Sequence, residues 1–475
     1  VLRRLFDSPW TYFALAGVLL VVLLLTQFQV RLPPRPKGTI EDVRKLAERT
    51  DTNLIFILID TLRDDHLHSY GYPRETSPVM DYLANTGIRF NRVISQSSWT
   101  KASMASLWTS SWPRRTGVLR WNHAVPDEAV MPAEVLQKAG FRTVGLWRNG
   151  WVAPNFGFQQ GFSIYLRPRP GEAPAQFQHH RPSAEALQGS DEDVTRAAQG
   201  FLRSFGKDRF FLYLHYMDVH QYAYDVDSAK FGTRYMDSYD NAIHWVDRNV
   251  GVLLKSLADL GLWKRTIIVI AADHGEGFRE HGLEGHARTL YKEVAEVPLI
   301  IALPFELKPG IVVDQTIGNV DIWPTVFALM GIPGRSGVDG HSELPLIEAA
   351  AAGDPPGEAP PYFAQLDRTW GRPSKDPSPL VGVTLGPYRL IAPLDKDGKV
   401  VETGKEELYD HRSDPWEHRN LLTAENGSKP VPADVEKALE GYLSNSKPAW
   451  STQTPEVKLQ EMELNQLRAL GYVIQ

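Results

Sequence analysis

Asn53-Leu54-Ile55-Phe56-Ile57-Leu58-Ile59 runs straight into Asp60 and Thr61. After Asn53 every residue of the run is apolar, and the run stops abruptly on a carboxylate. A strand with no polar face is a strand buried on both faces, as in a parallel sheet covered by helices. Similar runs of strand length stand at residues 142–147, 210–215, 266–271 and 297–302. Helical periodicity fills the intervals, at 77–86, 101–109, 133–139, 191–205 and 239–260. This alternation predicts an α/β domain with a mostly parallel sheet between helical layers.

Downstream the pattern changes. Residues 349–361 are low in complexity and predict a flexible loop or boundary. Beyond them, 380–384, 388–392 and 400–403 have the character of short strands, with Asp395-Lys396-Asp397-Gly398 as a turn. Helices are expected from Ala433 and from Glu456. The chain is thus divided into a segment 1–37, a main domain 38–375 and a small antiparallel α+β subdomain 376–475.

At 475 residues there is enough chain for a large core, and a formal net charge of −6 carries no basic footprint for nucleic acid. The absence of cysteine excludes disulfides, thiolate-ligated zinc and thiol catalysis. Residues 10–28 are an uncharged apolar run of membrane-spanning length, preceded by Arg3 and Arg4. They predict a membrane anchor, single or last of several spans, with the catalytic domain outside the cytoplasm. Leu32-Pro33-Pro34-Arg35-Pro36-Lys37-Gly38 is expected to be a stiff linker.

Chemistry is expected where strands end, because ligands bind open α/β sheets beyond the carboxyl ends of their strands. Asp60 follows the first run, and Asp273-His274 follows the run at 266–271. Two carboxylates and an imidazole converging there require a cation. Oxygen and nitrogen ligands together suit one divalent ion such as Ca²⁺, Mn²⁺ or Zn²⁺.

These residues carry a resemblance. Asp60-Thr61-Leu62-Arg63-Asp64-Asp65-His66-Leu67 with Tyr70-Gly71-Tyr72 resembles the opening motif of the sulfatase family, within the alkaline phosphatase superfamily. Asp273-His274-Gly275-Glu276, Glu280-His281-Gly282 and Gly285-His286 resemble its second metal block. Val320-Asp321-Ile322-Trp323-Pro324-Thr325, Glu407-Leu408-Tyr409-Asp410 and Leu467-Arg468-Ala469-Leu470-Gly471-Tyr472 follow in family order. The resemblance implies an alkaline-phosphatase-like three-layer α/β/α sandwich.

Thr109-Ser110-Ser111-Trp112-Pro113 with Arg115-Thr116-Gly117 is similar to the end of the family's nucleophile motif, which places Thr100 at the nucleophile. Sulfatases convert a Cys or Ser there to formylglycine. Here there is no cysteine, and Ala102 and Met104 replace the motif's Pro and Arg, so Thr100 is expected to act as an unmodified hydroxyl. The resemblance implies metal ligation by Asp60, Thr100, Asp273 and His274. It also implies contacts from His220 and His286 to the transferred group, while Lys101 stands beside the nucleophile to neutralise an oxyanion. The family's Gly-Lys-Trp-His element stands here as Gly145-Leu146-Trp147-Arg148-Asn149, without the lysine.

The expected activity is hydrolysis of a phosphate or sulfate ester, lipid- or glycan-linked, through a covalent intermediate. Two alternatives stay open: a phosphoethanolamine- or phosphoglycerol-type transferase, and an inactive binding protein that keeps the fold.

Overall fold

The apolar run at 53–59 forms β1 (Asn53–Ile59), buried at all seven positions. The computed structural model describes residues 34–171, 189–368, 378–401, 404–445, 447–451 and 453–458, with Pro9, Tyr12, Phe13, Ala16 and Gly17. Residues Pro34–Gln475 form one unit and Val1–Pro33 another.

The central sheet is built from β1, β2 (Ile88–Ile94), β3 (Arg142–Leu146), β4 (Ile164–Leu166), β5 (Phe210–Tyr216) and β6 (Thr266–Ala271). A two-stranded ribbon follows, β7 (Gly277–Phe278) with β8 (Glu284–Gly285), before β9 (Glu296–Ala302), β10 (Ile311–Val313) and β11 (Ile317–Gly318) rejoin the main sheet. The strand order is β10-β2-β9-β6-β1-β5-β3-β4, with β11 also on β2. Only β9 runs against its neighbours, so the sheet is mixed but mostly parallel.

Alternation along β5 shows that helices cover both faces. Phe211 and Tyr213 pack on Trp108 of the helix Thr100–Thr109, and Phe211 also meets Trp323 of Ile322–Leu329. Phe210 points the other way, onto Phe201 of the helix Asp191–Phe205, and the Tyr216 hydroxyl meets Thr195 of that helix at 2.7 Å. Successive strand residues face opposite sides, so the two helical layers sandwich the sheet.

A second, antiparallel sheet comprises β12 (Tyr362–Asp367), β13 (Pro379–Leu385), β14 (Tyr388–Pro393) and β15 (Glu407–Asp410), in that order. Its apolar side packs on the helix Ala433–Asn445 through Val435, Leu439 and Tyr442. The first of these strands lies upstream of position 376. The run at 349–361 begins as the end of a helix, Leu344–Ala352, because its alanines favour one. Glu456 pairs with His123 in an isolated bridge, and beyond residue 458 the helix expected from Glu456 lies outside the described residues. The motif at 467–472 lies outside the described residues.

The N-terminal expectations need correction. Among the described residues no helix is long and apolar enough to cross a membrane. Apart from Tyr12, Phe13, Ala16 and Gly17, residues 10–28 lie outside the described residues. The expected anchor, and the membrane placement that rested on it, are therefore withdrawn. Nor do residues 34–38 form a free linker. Arg35 is buried against the Trp263 ring and donates to Leu303 O at 2.7 Å and Thr86 Oγ1 at 2.6 Å.

Candidate active site

The site forms where four neighbouring strands end. In the β1–β6 register Leu58 lies opposite Ala271, so two residues further on Asp60 comes beside Asp273. In the β1–β5 register Leu58 lies opposite His215, which places His215 on the face that carries Asp60. Asn149 follows the end of β3, next to β5. The chain leaving β2 enters the helix Thr100–Thr109 with Thr100 as its first residue, and all ten residues of that helix are buried. Its N-terminal amides and dipole therefore face the same crevice, which favours an anion there.

Around Thr100 the contacts are short. Its Oγ1 lies 3.2 Å from His274 Nε2 and accepts from Asn149 Nδ2 at 3.3 Å. The same Nδ2 donates to Asp60 Oδ2 at 2.6 Å, which also accepts from His215 Nε2 at 3.1 Å. The Tyr213 hydroxyl fixes that imidazole by a 2.7 Å bond to Nδ1. His274 Nδ1 donates to Gly275 O at 3.0 Å, which leaves the Nε2 lone pair turned toward Thr100. Asp273 Oδ1 accepts from the Thr61 and His274 amides at 3.3 and 3.0 Å. Thr61 delivers its amide from φ 60°, a left-handed conformation that costs a β-branched residue about 1–3 kcal/mol. Its hydroxyl turns back onto Asp60 O at 2.7 Å.

Two atoms are left over. Asp60 Oδ1 and Asp273 Oδ2 are buried with no hydrogen-bond partner. Unpaired buried carboxylate oxygens are costly unless a cation neutralises them. Ligand atoms of Asp60, Asp273 and His274 lie within 4.8 Å of one another, so these residues fit a single divalent ion. Burial, reinforced by the Asp60 charge, pushes the Asp273 carboxyl up to about 7. For Asp60, burial is outweighed by the His215 hydrogen bond and by His220 and His274, which hold it well below the usual carboxylate range.

A second group, Asp321, His341 and Glu343, is also close enough to ligate. There His341 Nδ1 and Nε2 lie 3.2 Å from Asp321 Oδ1 and 3.1 Å from Glu343 Oε1. The Glu343 bond leads the effects that raise this imidazole to about 9, so a proton already balances the carboxylates.

His220 and His286 stand at the partly exposed mouth, ring centroids 5.0 Å apart, and His286 lies 4.5 Å from the His274 ring. His220 Nε2 is buried without a hydrogen-bond partner, and His286 Nδ1 meets Glu276 Oε1 at 3.2 Å. Burial lowers all three imidazoles, His286 to about 4, and raises Glu276 to about 7. The structure thus gathers Asp60, Thr100, Asp273, His274, His220 and His286 at one edge.

Lys101 is the exception. Its ammonium is fully buried 3.9 Å from the Phe156 ring centre and 4.8 Å from that of Trp151, and donates to Trp121 O at 2.5 Å. One residue along a helix turns a side chain by about 100°, which carries Lys101 into this aromatic box. No hydrogen bond joins it to Thr100 or the ligand cluster. The role of oxyanion partner expected for it is corrected to a packing one.

Glu276 was not singled out for the site from sequence, and Asn149, which follows a strand end just as Asp60 does, was expected only as a polar contact in place of the family's lysine. His215 carries no such local signal, because only pairing of β1 with β5 brings it to Asp60.

His281, from the second metal block, has both ring nitrogens engaged by protein groups. Nδ1 bonds Glu293 Oε1 at 2.8 Å, Nε2 donates to Glu417 O at 2.9 Å, and the ring stacks on Tyr291. Burial opposes its charge, but the Glu293 bond and the Glu417 carbonyl raise it to about 9. A folded pKa above the ordinary value near 6.5 means stabilisation that is full below that value and lost as pH rises through about 9. The thermal midpoint of His281→Gln is therefore expected to fall less than wild type between pH 6.5 and 9.5. Equal falls in both proteins would refute the charged tie.

Comparison with known proteins gives the family. The sulfatase family matches residues 52–332, and the C-terminal region of N-sulphoglucosamine sulphohydrolase matches residues 279–445. An ulvan-active sulfatase of Formosa agariphila is 23% identical over 81% of this chain and 80% of its own. Human arylsulfatase A is 27% identical over 64% of this chain and 69% of its own. A crystal structure of a candidate sulfatase from Bacteroides thetaiotaomicron superposes with a TM-score of 0.68 at 20% identity, covering 83% of this chain and 93% of that one. With more than half of its length matched, this chain belongs to the sulfatase family and is a sulfuric ester hydrolase.

Proposed function

We propose that the chain hydrolyses sulfate esters on a glycan, with Thr100 as an unmodified nucleophile and a divalent ion held by Asp60, Asp273, His274 and Thr100. The observation that carries this reading is the placement of Thr100 Oγ1. It heads a buried helix, touches His274 and Asn149, and neighbours two carboxylates with unpaired oxygens. An ion bound there supplies Lewis acidity and lowers the pKa of a coordinated oxygen by many units.

The residues then act in two stages. Thr100 Oγ1 forms a bond to the sulfur while the bond from sulfur to the ester oxygen breaks, and the proton lost from Thr100 balances the one the departing oxygen takes up as it leaves as the alcohol. Water next attacks the Thr100 ester, freeing sulfate and restoring the hydroxyl. The helix N-terminus holds the anion, and His220 and His286 offer N–H groups to the oxygens that gain charge. The substrate class follows the ulvan-active relative, and the same site chemistry accommodates a phosphate ester. That second reading is favoured by the absence of cysteine, since a plain hydroxyl is all that phosphoryl transfer to threonine requires.

The test is isotopic. After brief exposure to ³⁵S-labelled aryl sulfate or a ³²P-labelled ester and acid quench, the Thr100 peptide is expected to carry the label. Metal analysis is expected to find one divalent ion per chain. Label on another residue, or turnover by protein stripped of metal, sinks the reading.

A further inference from the structure

We propose that the Asn149 amide holds the Thr100 hydroxyl in its reacting orientation, an inference that rests on Thr100 being the nucleophile. Asn149 is fully buried where the chain leaves β3. Its Oδ1 accepts from the Trp151 amide at 2.8 Å and so caps the turn Gly150–Val152. That bond decides which end of the amide is which, because the flipped group would set two donors against each other. Nδ2 must therefore face the site, and its two hydrogens go to Asp60 Oδ2 at 2.6 Å and Thr100 Oγ1 at 3.3 Å.

A hydroxyl oxygen has one hydrogen and two lone pairs in a roughly tetrahedral set. Here the hydrogen points to His274 Nε2, whose partner nitrogen Nδ1 donates to Gly275 O, and with the ion bound that direction would be given to the ion in place of the proton. Asn149 takes one lone pair of Thr100. A single direction is then left on the oxygen, the one along which a bond to an incoming ester can form. Threonine is stiff about χ1, so fixing two directions fixes the third.

The cationic side chains next to Thr100 and Asn149 in sequence do not offer this contact. Arg148 sends its guanidinium to Asp191, at 2.7 Å, and to Asp218, and Lys101 lies in the aromatic box. Among the described residues, Asn149 and His274 alone are hydrogen-bonded through side chains to Thr100 Oγ1. A neutral amide suits this role because it does not titrate and its bond strengthens as the oxygen acquires negative charge. Where the family resemblance has lysine and histidine, this chain orients its nucleophile with an uncharged donor.

Two variants separate orientation from mere structure. Asn149→Asp keeps an oxygen for the Trp151 amide but loses the donor, whereas Asn149→Ala loses both. With p-nitrophenyl sulfate as the probe, both are expected to lower kcat by about 100- to 1,000-fold, typical of removing one preorganised donor. KM is expected to stay within about threefold, and Asn149→Ala is expected to keep wild-type metal content because His215 still ties Asp60, while Asn149→Asp, which sets a second carboxylate against Asp60, is assayed at saturating metal. Thermal midpoints should diverge, the alanine variant lying lower because it alone loses the cap. A crystal structure of Asn149→Asp is expected to show Thr100 in more than one χ1 rotamer. Wild-type kcat in Asn149→Asp, or kcat losses that simply track the thermal midpoints, overturns the proposal. Thr100→Ala run in parallel distinguishes the failures. If it is inactive while Asn149→Asp is unaffected, only the orienting role falls; if Thr100→Ala turns over normally, the nucleophile falls and this role with it.

Discussion

Thr100→Ala is expected to lower kcat by about four orders of magnitude or more, the scale on which a hydrolase loses its nucleophile. The fold should be unaffected. Thr100 is the first residue of its helix, the residue before it makes no side-chain cap, and alanine is the best helix former. Asp60, Asp273 and His274 stay in place, tied by His215, Thr61 and Gly275, so metal content should persist. Thr100→Ser restores an oxygen at the same position and is expected to keep activity within about tenfold of wild type, its only loss being the stiffness of the β-branch. Rates on p-nitrophenyl sulfate, with metal content and thermal midpoint on the same samples, decide the matter. An alanine variant with more than a tenth of wild-type kcat places the nucleophile elsewhere.

The second large effect concerns stability. Trp108 lies on the same helix as Thr100 and is only 2% exposed. Its ring stacks on Trp323 at 5.1 Å, meets Tyr213 edge-on at 4.9 Å and lies 5.8 Å from Phe56. Phe56 and Tyr213 belong to the sheet face that carries Asp60 and His215 further along, so this aromatic layer ties the nucleophile's helix to the strands that bear its partners. Trp108→Ala removes the centre of the layer and is expected to cost about 3–5 kcal/mol. Against a typical total of about 5–15 kcal/mol, that is a large fraction. Activity is expected to fall as well, because a loosened helix no longer holds Oγ1 within reach of His274. Trp416, 47% exposed, is the control, and Trp416→Ala should change stability by less than about 0.5 kcal/mol. Equal denaturant midpoints for the two variants would mean that the layer is not what holds the helix.

The same two residues show what could be foreseen. The helix expected over 101–109 was legible, one residue short of the observed Thr100–Thr109. That Trp108 would meet Trp323, more than two hundred positions away in the chain, was not legible. Charge gave a weaker guide than position. Arg35 and Lys101, assigned from sequence to a linker and to an anion, are both buried among aromatic rings. A side chain with a long apolar stem packs wherever the surrounding rings accept its head, and composition does not say where that is.

What the sequence determined by itself was local and strong. Buried parallel strands need unbroken apolar runs and end on polar residues, so 53–59 and 266–271 marked both their own limits and the positions of Asp60, Asp273 and His274. The tertiary structure alone decided the antiparallel place of β9, the approach of His215 to Asp60 and the direction of the Asn149 amide. Those depend on register between strands distant in the chain, where a shift of one residue turns a side chain to the opposite face. No pattern within a single segment encodes that choice.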